Sequence, residues 1–144
     1  MPGPPPEFRV RTATRRRLER LGDEFLAGFL SRKALRKPAQ VGVLVSLARV
    51  LTRLGLVEEG MKVDRRLVAL MPRSPIVHYN LGCSLALTGR RRRALESLRQ
   101  AIALGYDDPE FMRRDGDLAC LRAEPVFAAM IAELVDRHSP ISRN

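Results

Sequence analysis

Apolar residues recur three and four positions apart over most of this chain, the spacing that gives an α-helix one apolar face. Val41, Leu44, Leu47, Val50 and Leu51 form one such run, which breaks at Gly55. Met61, Leu67, Val68 and Leu70 carry a second helix that stops near Pro72. The pattern then returns. Val77, Leu81 and Leu85 run up to Gly89, and Ala94, Leu95, Leu98, Ile102 and Leu104 lead to Gly105. Upstream, Leu18, Leu21, Phe25 and Phe29 make an apolar stripe, widened by Leu26 and Leu30, on a helix that Thr12 or Thr14 would cap. This stripe is the face expected to pack on the rest of the protein, with Arg15, Arg16, Arg17 and Arg20 on the other side. Ser31 to Lys37 reads as a connector, and Pro38 suits the first turn of the next helix. No stretch alternates strictly enough for a strand, so the predicted class is all-α.

The chain also repeats itself once, with a step of 34 residues: Leu47 returns as Leu81, Leu51 as Leu85 and Gly55 as Gly89. Small residues return too, Ala48 as Gly82 and Gly60 as Ala94. A period of this size belongs to a stacked helix-turn-helix unit. The copies span residues 41–74 and 75–108. Asp115 or Asp117 can start a short helix through Leu118 and Leu121, and Pro125 opens a final helix with Val126, Phe127, Met130, Ile131 and Leu134 on one stripe. The predicted organisation is a Pro-rich tail at 1–11, one helical domain over 12–138 and a frayed tail at 139–144. Within the domain, a cap helix covers 12–31 and a closing cap 109–138.

These residues resemble the tetratricopeptide repeat family. The second copy reads His78-x-x-Leu81-Gly82-x-x-Leu85, then Gly89, Ala94, Leu98 and Ala101; the first reads Leu44-x-x-Leu47-Ala48-x-x-Leu51, then Gly55, Gly60, Leu67 and Pro72. The closing segment, with Gly105-Tyr106-Asp107-Asp108 and Pro125-x-Phe127, is similar to degenerate ends of small bacterial members. Departures are Asp64 where a large apolar residue is usual, His78 in place of an aromatic, and Tyr106 where a closing proline is expected. The resemblance implies a short α-solenoid whose first helices line a concave groove. The groove residues it implies are Val45, Arg49, Thr52 and Arg53 from the first pair, and Tyr79, Asn80, Cys83 and Ala86 from the second. Asn80 matches the family's carboxylate-gripping asparagine, but Val45 and Arg49 replace the lysine and asparagine that complete that clamp. The expected role is therefore a non-catalytic adaptor for a partner segment bearing acidic and apolar side chains.

Charge sharpens this picture. The 144 residues carry a net charge of +10, with 26 basic and 16 acidic residues. The surplus falls from +6 over residues 1–40 to −1 over residues 109–144. Such a gradient favours acidic partners. Two runs form a candidate basic patch: Arg15, Arg16 and Arg17, and Arg90, Arg91, Arg92 and Arg93. The second opposes the dipole at a helix start, and a solvated charge run with no binding role explains it equally well. Electrostatic, weakly sequence-selective binding to RNA, DNA or ribosomes is the alternative function, since two Tyr and five Phe supply few stacking platforms. An anionic membrane surface would suit the same cations, but the first helix is expected to need its apolar stripe for packing. End-to-end stacking of an open solenoid makes a homodimer a further option.

Catalysis, cofactors and metals are not expected. His78 and His138 lie far apart, no Cys/His spacing suggests zinc, and no glycine-rich loop would cradle phosphate. Cys83 and Cys120 fit buried thiols rather than a disulfide framework. The start lacks the basic-then-apolar block of a secretory signal, so the expected location is cytoplasmic.

Overall fold

Three glycines set the shape of the chain. Gly55, Gly89 and Gly105 have φ of 77°, 76° and 106°, a left-handed conformation that side chains with a Cβ resist. Each ends a helix in the same way: the next residue's N–H reaches back five residues, from Leu56 to Leu51 at 2.9 Å, Arg90 to Leu85 at 2.8 Å and Tyr106 to Ala101 at 2.9 Å. These bonds satisfy carbonyls that a helix end would otherwise leave unpaired. The computed structural model describes residues 12–36 and 40–138. The Pro-rich tail, the helix start at Pro38 and the frayed C-terminal tail fall outside the described residues.

The elements are α1 (Thr12–Arg36), α2 (Val41–Arg53), α3 (Val57–Leu70), α4 (Pro75–Leu87), α5 (Arg91–Ala103), α6 (Pro109–Arg114), a 3-10 helix (Gly116–Leu121) and α7 (Pro125–His138). There is no strand among the described residues. The 34-residue step appears as a step between helix starts, from Val41 to Pro75 and from Val57 to Arg91. It continues once more than the sequence pattern suggests, from Pro75 to Pro109 and from Arg91 to Pro125. Even the caps keep it: Ser74 Oγ accepts from Val77 N–H, and Asp108 Oδ1 from Phe111 N–H at 2.9 Å. The third unit is degenerate because its first helix is broken into α6 and the 3-10 helix, which Asp115 starts by accepting from Asp117 N–H at 3.0 Å. Successive helices pack side by side from α1 to α5, and the closing segment covers α4 and α5. The result is a short all-α solenoid.

Small residues permit this packing, though unequally. A Cβ added at Gly82 would lie 2.8 Å from Cδ2 of Leu98, which is fully buried. At Gly60 the nearest atom would be 3.4 Å away, an ordinary contact. Two apolar clusters result. Leu44, Leu47, Leu51 and Leu67 centre one between α1 and α3; Leu98, Met112, Leu118, Leu121 and Leu134 centre the other between α4 and α7.

α1 departs from expectation twice. It runs on through Arg36, since nothing before Pro38 breaks a helix. It also docks with a different face. Ala27, Leu30 and Ala34 are its buried residues, whereas Leu18, Leu21, Phe25 and Phe29 are 48–73% exposed. The two sets lie about half a turn apart at 3.6 residues per turn. Alanines allow α1 to approach α2 closely, and Arg53 of α2 holds Asp23 on that side through bonds of 2.6 and 3.1 Å. Bulk alone pointed to the wrong stripe.

Candidate functional site

The described residues enclose an open cleft of about 780 Å³ between α2, α4 and the closing segment. Helical spacing brings Val45, Arg49, Thr52 and Arg53 of α2 to its wall, and Tyr79, Asn80, Cys83 and Leu87 of α4 beside them. The closing segment adds Tyr106, Asp108, Phe111, Asp115 and Asp117. Seven of the eight predicted groove residues thus share one surface. Ala86 does not. It is 3% exposed, inside the second apolar cluster, and its carbonyl accepts from Cys120 Sγ at 3.4 Å. The broken first helix of the third unit has closed over it.

One end of the cleft is an aromatic and carboxylate assembly. The rings of Tyr79 and Tyr106 stack with centroids 4.4 Å apart and planes 9° apart, and Phe111 leans on Tyr79 at 6.0 Å. Tyr79 Oη donates to Asp115 Oδ2 at 2.8 Å, and Cys83 Sγ donates to the same oxygen at 3.6 Å. Burial pushes the Tyr79 phenol and the Cys83 thiol far up, and Tyr106 up to about 12, so all three stay protonated. Burial, then the neighbouring Asp115, raises the Asp117 carboxyl. Ligand-type atoms of Cys83, Asp115 and Asp117 lie within 4.8 Å of one another. The donors already on Asp115 and the protonated thiol make this a hydrogen-bonded cluster that favours a cationic neighbour.

The floor holds Asp64, 4% exposed, whose carboxylate accepts from Ser84 Oγ. Burial raises this group to about 6, with the Ser84 bond working the other way. At the α2 end the charges differ. Arg53 is occupied by Asp23, whose carboxyl that guanidinium holds below its ordinary value. Arg49 is exposed and has no carboxylate within ion-pair distance among the described residues. Thr52 Oγ1 donates to Ala48 O at 3.0 Å.

The two arginine runs are not one patch. Arg15, Arg16 and Arg17 lie near the start of α1, which packs on α2, while Arg90 caps and Arg91–Arg93 begin α5, which packs on α4 and α7. Most of the second run is neutralised locally: Arg90 pairs with Glu58 at 2.7 Å, Arg91 with Glu124 at 3.7 Å and Arg92 with Glu96 at 3.8 Å. Arg15 pairs with Glu19 at 3.1 Å. Sequence reasoning missed the carboxylate end of the cleft and its apolar wall of Ile76, Leu87 and Phe111. The available signal was the third 34-residue step, which would have set residues near 113–115 beside Tyr79.

Compared with protein-family models the chain matches none, and a search of curated proteins likewise finds no match.

Proposed function

We propose that this protein is a non-catalytic adaptor of tetratricopeptide type that holds an extended segment of a partner protein in its concave cleft. The observation that carries the reading is the cleft itself: about 780 Å³, open, walled by exposed Ile76, Leu87 and Phe111, with unlike charges at its two ends. Its volume falls in the range typical of binding pockets, and a few polar groups on an apolar wall are what orients a bound segment. Arg49 suits an acidic side chain. Asp115 and Asp117 suit a basic one. The occupant is thus a segment with an apolar residue between opposite charges, a narrower class than an acidic peptide. Arg90–Arg93 contribute less, because three of the four already have carboxylate partners.

An arrayed library of short peptides, followed by fluorescence anisotropy, tests this. Wild-type protein should select segments with that charge order, and Asp117→Lys should weaken them about tenfold, the equivalent of about 1.4 kcal/mol. Arg49→Glu should shift the preference at the opposite end of the segment. Selection that is indifferent to both variants would overturn the reading. Phosphate-backbone binding behaves differently: it would survive both variants and collapse with rising salt.

A further inference from the structure

Among the described residues the apolar stripe of α1 has no partner. Leu18, Leu21, Phe25 and Phe29 are 59%, 53%, 73% and 48% exposed, and no residue before Ala27 in the described part of α1 is buried. Residues 12–22 therefore project for about 16 Å beyond the part that packs, at 1.5 Å per residue. The stripe spans one side of the helix without an acidic residue on it: Asp23 is on the docked side with Arg53, and Glu19 and Glu24 pair along the helix with Arg15 and Arg20. Cations sit at both ends. Arg16 and Arg17 precede the stripe, while Arg32, Lys33 and Arg36 follow it, none with a carboxylate within ion-pair distance among the described residues.

From this arrangement we infer that α1 docks the protein onto an anionic lipid surface, lying in the interface with its phenylalanines and leucines among the acyl chains. Three observations select that occupant. The surface is a convex helical ridge, which enters a lipid interface but gives a peptide no groove. Phe and Leu on the exposed stripe, with Arg and Lys beside them, are residue types that interfacial helices use. Self-pairing is opposed by charge. An antiparallel pair would set Arg16 and Arg17 against Arg32 and Arg36, and a parallel pair would set each cluster against itself. The helix lies on the membrane and does not cross it, since no helix among the described residues is long and apolar enough to span a bilayer. The cleft remains available to a protein segment, so the two functions are separable.

Flotation of the full chain with phosphatidylcholine vesicles, with and without phosphatidylglycerol, tests the assignment at about 0.15 M salt, where charges act over about 8 Å. The protein should float with the anionic vesicles and stay behind with the neutral ones. Phe25→Asp with Phe29→Asp removes apolar contact from exposed positions, so helicity and the unfolding midpoint should hold while vesicle binding falls at least about tenfold. Arg32→Gln with Arg36→Gln should weaken binding through charge alone. No binding to anionic vesicles, or binding unaffected by the phenylalanine substitutions, overturns the proposal. So does a wild-type dimer in sedimentation equilibrium that the phenylalanine substitutions turn into a monomer, because the stripe would then be a self-association surface.

Discussion

Asp64 sits beneath the cleft with one neutral hydrogen-bond partner, Ser84. Its carboxyl is raised from 3.8 to about 6, chiefly by burial. Between roughly pH 4 and 6 the folded protein keeps a proton that the unfolded chain has released, so this residue's contribution to stability falls as pH rises through that window. Above pH 6 the cost is fully present. Asp64→Asn abolishes the ionisation and still offers Ser84 an acceptor oxygen. It should raise stability at pH 7 by on the order of 1–3 kcal/mol and change it little near pH 4. Urea titrations of both proteins at the two pH values check this, and an equal gain at both would mean a packing effect. The resemblance marked Asp64 as an anomaly in the sequence. Its partner was not legible, because Ser84 is twenty residues away and meets it only when α3 packs on α4.

At the scale of elements, helix starts and stops were largely written in local chemistry. Glycines at 55, 89 and 105 and prolines at 75, 109 and 125 bound their helices because φ and a missing N–H act within a residue or two. Which face of a helix is buried is a different matter, as α1 shows. α3 and α5 show how charge tunes equivalent elements: α3 opens with Glu58 and Glu59, α5 with Arg91, Arg92 and Arg93. Cations at the positive end of a helix are unfavourable. Arg93 takes the place of Glu59 and has no carboxylate partner among the described residues, so Arg93→Glu loses no ion pair described in the fold. Stability should rise by about 0.3–1 kcal/mol at low ionic strength, and the gain should shrink at high salt. Denaturation midpoints at two salt concentrations measure it; no gain at low salt would mean that Arg93 is held by an interaction other than a carboxylate.

For the whole molecule, the two apolar clusters make stability uneven. In a linear stack each unit leans on its neighbours, so damage spreads outward from where it is made. Leu98 is fully buried in the second cluster, and Leu98→Ala should cost about 2–5 kcal/mol. Hydrogen exchange should then accelerate most in α4, α5 and α7 and less in α2, which belongs to the other cluster. Uniform acceleration would instead show one cooperative unit. In wild-type protein the amides of residues 12–22 should exchange fastest, since every residue there is exposed.

The sequence by itself determined the helices, their ends and the 34-residue step, because these depend on spacing, caps and turn glycines that act over a few residues. Most of one cleft wall was implied as well, through the resemblance to the tetratricopeptide repeat, whose first helices line a groove. Only the tertiary structure decided that small alanines, not the large phenylalanines, dock α1; that the closing segment buries Ala86; and that Arg53 is spent on Asp23. It alone brought Asp115 to Tyr79 and Asp64 to Ser84. Those outcomes depend on how closely two helices approach and which distant side chains then meet, and no local pattern along the chain encodes that distance.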